Sequence, residues 1–151
     1  NQPQSKVHYV GIKREYSQKE IGEFMSKDLE KLHSLIENKT LPEAKNVIGI
    51  YEKFDLINGK CTVISAVTFD TAVNINEHDL VTGMIPDHNS YSVTHTGEYK
   101  HLGNAWSTGM GYLRGNKIKQ SKTVFPYEVY ISDPKNTDAK DLVTQVHFPL
   151  K

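Results

Sequence analysis

Two stretches of the chain carry apolar residues at steps of three and four, the spacing of one face of an α-helix. Each apolar position of the first stretch has a counterpart 81 residues later, and Gly22 and Gly103 match at the same offset. A register shared by five apolar positions indicates an internal repeat with one helix in each copy. The first stripe consists of Ile21, Phe24, Met25, Leu29 and Leu32, and the second of Leu102, Ala105, Trp106, Met110 and Leu113.

Segments of β character flank both predicted helices in the same order, one before the helix and two after it. Turn-forming residues separate the last two, at Asn58-Gly59 in the first copy and Asp133-Pro134-Lys135-Asn136 in the second. Each copy is therefore a βαββ unit whose last two strands form a hairpin. The predicted strands are Val7–Lys13, Val47–Phe54 and Cys61–Phe69, then Ser90–Thr96, Tyr127–Ser132 and Leu142–Leu150.

The repeat predicts a single α+β domain over residues 1–151, with copies at about 6–70 and 88–151. Thr71–Pro86, which is rich in Asn, Asp and Glu, is expected to be mostly loop between the copies. Two such units commonly form one antiparallel sheet with both helices on one face. The other face is then left free for a ligand cleft.

The alternation of side chains along a strand assigns the hairpin residues to faces. Because the helices bring apolar stripes, we expect the apolar alternate residues of the hairpins to pack beneath them. These are Ile48 and Ile50 in the first copy and Val129 and Ile131 in the second. The open face would then carry Gly49, Tyr51, Glu128 and Tyr130.

Glu128 occupies mid-strand where the first copy has Gly49. Glutamate is a poor strand residue, and a strand glycine often marks close approach of a ligand or backbone. The pair indicates a cavity with an acidic floor, although Glu128 could equally be a solvated residue on an exposed face. Nearby aromatic residues would suit a cationic or polarised aromatic guest, with core packing as the alternative for the helix tryptophan. They are Tyr51, Tyr91 and Tyr130 on strands and Trp106 and Tyr112 on the second helix.

The composition and charge of the chain exclude some classes of binding partner. Lys plus Arg and Asp plus Glu each number 18, which argues against general nucleic-acid binding. No apolar run approaches the roughly 18 residues that cross a bilayer. The single cysteine, Cys61, excludes an intrachain disulfide and fits a buried thiol in a reducing cytoplasm. The chain begins at Asn1, so an upstream domain or anchor stays open.

The sequence predicts no cofactor and no metal site. The seven histidines, among them His78, His88, His95 and His101, show no HxxxH or HExxH spacing. Gly109-Met110-Gly111 lacks the spacing of a phosphate loop, and no Gly-x-Ser-x-Gly nucleophile elbow occurs. The lysines of Lys117–Lys122 are expected to lie in a solvated turn.

The chain resembles the GyrI-like small-molecule-binding family, the effector-binding domain of AraC- and MerR-type activators with a SOUL-like fold. The resemblance is most specific in the second copy, although Gly97-Glu98-Tyr99 stands where the family often has Gly-Pro-Tyr. It implies that Glu128 lies at the bottom of a pocket for cationic lipophilic ligands, with Trp106, Tyr51 and Tyr130 around it. The matching segments are His95-Thr96-Gly97-Glu98-Tyr99, Leu102-Gly103-x-Ala105-Trp106, Pro126–Pro134 and Leu142–Leu150.

Members of that family differ in function, so the resemblance leaves three hypotheses. The first is a non-enzymatic, stand-alone domain for sensing or sequestering amphipathic aromatic or cationic molecules in a bacterial cytoplasm. The second is a hydrolase of reactive small molecules in which Glu128, with a tyrosine partner, is the general base. The third is a protein-interaction module that inhibits a partner such as gyrase.

Overall fold

The computed structural model describes residues 2–17, 20–55, 59–75, 79–133 and 136–151. Of the predicted features, Asn58, His78, Pro134, Lys135 and the side chain of Ile21 lie outside the described residues. The chain divides into two compact units. We call Lys6–Ile85 the N-terminal unit, and Pro86–Lys151 with Asn1–Ser5 the C-terminal unit.

The secondary structure confirms the α+β prediction, with a βαββ arrangement in each unit. In chain order the strands and α-helices are β1 (Gln2–Gln4), β2 (Val7–Ser17), α1 (Ile21–Glu37), β3 (Val47–Asp55), β4 (Lys60–Phe69), β5 (Val81–Ile85), β6 (His88–Thr96), α2 (Leu102–Gly115), β7 (Tyr127–Tyr130) and β8 (Val143–Pro149). Short 3-10 helices cover Tyr99–His101 and Ala139–Asp141. All strand pairs within the units are antiparallel, in the order β3-β4-β2-β5 in the N-terminal unit and β1-β6-β8-β7 in the C-terminal unit.

Two strands were not foreseen. The prediction of loop over Thr71–Pro86 is wrong at its end, where Val81–Ile85 forms β5 and pairs with β2. Gln2–Gln4 likewise forms β1 beside His88–Ser90 of β6. β5 has five residues and β1 has three, too few for their composition to indicate a strand. Each forms because a neighbouring strand supplies its backbone hydrogen-bond partners.

The core of the N-terminal unit lies between α1 and its sheet. Val47 packs against this core and is the register partner of Val67, so Ile48 and Ile50 lie on the opposite face of β3. The prediction that these two isoleucines pack beneath the helix is therefore wrong. Both faces of β3 are apolar at this point, so parity alone could not orient the strand. The core is formed by Val10, Ile12, Leu32, Leu41, Val67 and Phe69.

The C-terminal unit has an equivalent core beneath α2, formed by Leu102, Ala105, Leu113, Val146 and Phe148. One stripe position differs from the prediction, because Met110 is 39% exposed and the buried residue is Gly109. A Cβ on Gly109 would clash with the ring of Phe148. The ring of Phe148 therefore occupies the space that a side chain at this position would need.

The faces of β7 are also the reverse of those predicted. Glu128 is the register partner of Val146, and partners in an antiparallel pair point to the same face. Since Val146 packs beneath α2, the Glu128 side chain lies on the helix side of the sheet. Ile131, predicted to lie beneath the helix, is 53% exposed. The prediction assumed that residues facing the helix are apolar. Glu128 is a charged residue on the helix side, so the alternation of side chains was assigned to the wrong faces of β7.

Candidate ligand site

Glu128 is buried between α2 and the sheet of the C-terminal unit, with 3% of its surface exposed. Its Oε2 accepts a hydrogen bond of 2.7 Å from Nε1 of Trp106 on α2. Its Oε1 accepts another of 2.7 Å from the hydroxyl of Tyr130, two residues along β7. Both donors are neutral aromatic side chains, so each carboxylate oxygen is held by the edge of an aromatic residue. The structure thus brings together three of the predicted site residues.

Aromatic rings extend from this carboxylate along the helix side of the sheet. Trp106 meets Phe148 edge to face at 5.4 Å between ring centroids, and Phe148 lies 6.5 Å from Tyr91. Tyr91 stacks on Tyr112 with centroids 4.5 Å apart and planes 6° from parallel. The predicted residues Tyr91 and Tyr112 are therefore connected to Trp106 through Phe148, which was not among the predicted site residues.

Tyr99 was also missed as a site residue. Its ring meets that of Tyr130 edge to face at 5.8 Å, and it is 38% exposed. Burial raises the pKa of the Tyr99 hydroxyl, and the negative charges of Glu128 and Asp133 raise it further. Tyr99 therefore lies within the electrostatic field of the buried carboxylate. A Glu-Tyr pair precedes each helix, Glu15-Tyr16 in the first copy and Glu98-Tyr99 in the second. This repetition was the available signal, but it says nothing about where the ring points.

Gly49 and Tyr51 belong to the N-terminal unit, where both lie on the helix side of the sheet. Gly49 is the register partner of Ser65, and Tyr51, which is buried, is the partner of Val63. A bulge follows Tyr51 and shifts the register of the rest of β3. Their contribution to a ligand site stays a prediction.

The N-terminal unit has a buried carboxylate of its own. Asp28 on α1 accepts hydrogen bonds from Arg14 Nε, at 2.9 and 3.1 Å, and from the Tyr16 hydroxyl at 2.5 Å. Burial and the hydrogen bond to Asp28 raise the pKa of the Tyr16 hydroxyl. The position 81 residues after Asp28 is Gly109, so the repeat places its carboxylate on the helix in one copy and on the sheet in the other. Asp28 is held by a cation, whereas Trp106 and Tyr130 hold Glu128 as neutral donors.

The described residues contain neither a cluster of metal-ligating side chains nor a helix that could cross a membrane. No three His, Cys, Asp or Glu side chains come together there as metal ligands. No helix in this part of the chain is both long and apolar enough to cross a membrane.

A family model for the GyrI-like small-molecule-binding domain matches residues 3–151. The chain belongs to this family. As a GyrI-like domain it is a small-molecule-binding module, and the carboxylate with its aromatic neighbours is the candidate for the binding site. No curated protein matches the chain.

Solved structures share the fold of this GyrI-like domain at low sequence identity. The EcmrR C-terminal domain superposes with a TM-score of 0.70 at 20% identity, covering 99% of this chain and 94% of that one. EcmrR in its DNA complex gives 0.79 at 16% identity, and the match spans 99% of this chain but 56% of EcmrR. SAV2435 bound to tetraphenylphosphonium superposes with a TM-score of 0.67 at 17% identity, covering 99% of this chain and 92% of that one. A hydrolase from Listeria innocua superposes with a TM-score of 0.61 at 8% identity, covering 99% of this chain and 91% of that one.

Proposed function

We propose that this GyrI-like domain binds amphipathic aromatic cations at Glu128 and serves in ligand sensing or sequestration. The observation that carries the proposal is the buried Glu128 carboxylate, hydrogen-bonded by Trp106 and Tyr130 and close to the half-exposed ring of Tyr99. A negative charge within an aromatic surround recognises a molecule that is both cationic and apolar.

Two interactions would act together on such a ligand. The carboxylate attracts the positive charge, and little water is present at a buried group to screen that attraction. The ring faces add cation–π attraction of roughly 0.5–2 kcal/mol each. A neutral aromatic molecule would gain only the apolar contacts, so charge should decide selectivity.

The similar fold of SAV2435 supports this choice of ligand, since that protein is bound to tetraphenylphosphonium, an aromatic cation. The balance of 18 basic and 18 acidic residues supports a role without direct contact to nucleic acid. The buried free thiol of Cys61 is compatible with a cytoplasmic setting. Within a longer regulator, such a domain would report ligand to a separate DNA-binding part.

Titration with tetraphenylphosphonium tests the proposal, and the chain contains its own reporter. Trp106 is the single tryptophan and donates directly to Glu128, so its fluorescence reports on the site. We expect saturable quenching, and at least about a tenfold loss of affinity in Glu128→Gln, because a charged hydrogen-bonding partner is lost. Glu23→Gln is the matched control, since this glutamate lies exposed on α1.

Triphenylphosphine oxide separates charge from shape, because it keeps three phenyl rings without the positive charge. It should bind far more weakly than tetraphenylphosphonium to the unaltered protein. Equal affinity for both compounds, or unchanged cation affinity in Glu128→Gln, would contradict the proposal. Mass spectrometry of the recovered ligand tests the hydrolase alternative. If the unaltered protein converts an electrophilic ligand and Glu128→Gln does not, Glu128 is assigned to catalysis instead.

A further inference from the structure

A second group of polar side chains lies on the other face of the C-terminal sheet, behind Glu128. We call it the rear cluster, and its members are His88, Ser90, Tyr127, Gln145 and His147. Tyr127 precedes Glu128 on β7, so the two side chains point to opposite faces. The rear cluster therefore has no direct part in the ligand site described above.

Tyr127 is held in place from two sides. Its hydroxyl lies 3.0 Å from Nε2 of His88, and its ring stacks on His147 with centroids 4.9 Å apart and planes 3° from parallel. Nδ1 of His88 lies 2.7 Å from the carbonyl oxygen of Pro86. Because a carbonyl only accepts, Nδ1 carries the proton, and Nε2 is left to accept the hydrogen bond that Tyr127 donates. Contacts to both the hydroxyl and the ring define the position of Tyr127.

The side chain of His147, on β8, contacts residues of β6, β7 and β8. Its Nδ1 lies 2.9 Å from Oγ of Ser90 on β6, and its Nε2 lies 3.1 Å from Oε1 of Gln145 on β8. His147 is 4% exposed, and burial, followed by the electrostatic effect of His88, lowers the pKa of its ring to about 4. At neutral pH the ring is uncharged and donates at one nitrogen while accepting at the other. Nε2 donates to the amide oxygen of Gln145, and Nδ1 accepts from the hydroxyl of Ser90.

The rear cluster acts on a very short strand. β7 has four residues, with Tyr127 at its start and Glu128 next to it. Tyr127 is the register partner of His147, and Glu128 is the partner of Val146. A shift of the strand at Tyr127 would therefore change the distance between Glu128 and Trp106, which lies on a different element, α2. Contacts behind the sheet thus bear on the geometry in front of it.

We propose that the rear cluster positions Glu128 for its ligand, with Tyr127, His88 and His147 as positioning residues that do not touch the ligand. This inference rests on the proposed function for its effect on affinity. The effect of the rear cluster on the contact between Trp106 and Glu128 can be measured without ligand. The positioning role and the proposed function can therefore fail separately.

A double-mutant cycle with tetraphenylphosphonium measures the coupling. Tyr127→Phe removes the hydroxyl that bonds His88 and keeps the ring that stacks on His147. We expect about a fivefold loss of affinity, the effect of roughly one hydrogen bond, when Glu128 is intact. In the E128Q background the same substitution should have little effect, because the carboxylate that it positions is gone.

Trp106 emission without ligand gives the second readout. Tyr127→Phe should shift the emission spectrum in the same direction as Glu128→Gln. His88→Gln changes a half-buried residue and serves if Tyr127→Phe fails to fold. Tyr9→Phe, a half-buried strand tyrosine of the N-terminal unit, is the matched control and should leave the emission unchanged. Thermal unfolding of each variant shows how much of any effect is general destabilisation.

Two outcomes would overturn the inference. One is wild-type affinity and emission in both Tyr127→Phe and His88→Gln. The other is an equal loss of affinity from Tyr127→Phe with and without Glu128, which would make the rear cluster merely structural. If the unaltered protein does not bind tetraphenylphosphonium, the proposed function fails, and the ligand-free emission still decides on the positioning role.

Discussion

Glu128 and Val146 lie directly opposite each other on β7 and β8, so the carboxylate shares the face of the sheet on which α2 packs. This relationship explains how a glutamate in mid-strand becomes a site. The helix provides Trp106 as a donor, and the strand provides Tyr130. A polar group buried in this way is costly unless it is hydrogen-bonded, and both carboxylate oxygens are.

The hydrogen bond from Tyr130 should contribute measurably to stability. Tyr130→Phe removes the donor to Oε1 of Glu128, and we expect the free energy of unfolding to fall by about 1–2 kcal/mol. Urea denaturation followed by circular dichroism measures it. Tyr112→Phe is the control, because its stacking on Tyr91 uses the ring and not the hydroxyl. Equal stability of Tyr130→Phe and the unaltered protein would show that this hydrogen bond contributes nothing.

Two glycines of α2 should respond to alanine in opposite directions. Gly109→Ala forces a Cβ against Phe148 and should cost about 1–3 kcal/mol of stability through overpacking. Gly111→Ala meets nothing within 4 Å and should gain about 0.5–1 kcal/mol, because alanine favours the helix. Thermal and urea unfolding of the two variants give the comparison. A stabilising Gly109→Ala would mean that Phe148 can move aside at little cost.

The buried carboxylate of α1 should matter more than an exposed one on the same helix. Asp28→Ala leaves Arg14 and the buried Tyr16 hydroxyl without their acceptor, so we expect a loss of about 2–3 kcal/mol. Glu23→Ala breaks only an exposed pair with Lys27 and should cost below about 0.5 kcal/mol. Urea midpoints of both variants test this. Similar small losses for the two would show that the Asp28 contacts are dispensable.

His147 should make the protein less stable in acid. In the unfolded chain its pKa lies near 6.5, and in the folded protein burial lowers it to about 4. Between these values the unfolded chain binds more protons. The contribution of neutral His147 is therefore complete above about pH 6.5 and is lost as the pH falls toward 4, by up to about 3 kcal/mol.

The test is the free energy of unfolding between pH 7 and 4 in His147→Gln. This variant should decline less steeply with falling pH than the unaltered protein. His33→Gln, an exposed position on α1, should keep the original slope. Parallel curves for His147→Gln and the unaltered protein would show that His147 does not titrate differently on folding.

Local patterns predicted most of the elements well. The 81-residue register placed both helices, and α2 begins at Leu102 as its stripe does. The strand after the turn at Gly59 begins one residue before the predicted Cys61 and ends at the predicted Phe69. Periodicity and turn residues act over a few neighbouring residues, and these elements depend on little else. β1 and β5 were missed because their stability comes from the strands beside them.

The sequence by itself determined the repeat, the βαββ order and the glutamate on which a site could be built. Tertiary structure alone decided which way that glutamate faces, and that Trp106, Tyr130 and Tyr99 gather on its side of the sheet. Alternation along a strand divides residues into two sets but does not say which set meets the helix. Only packing settles that question, and in β7 the helix-side set contains the charged residue.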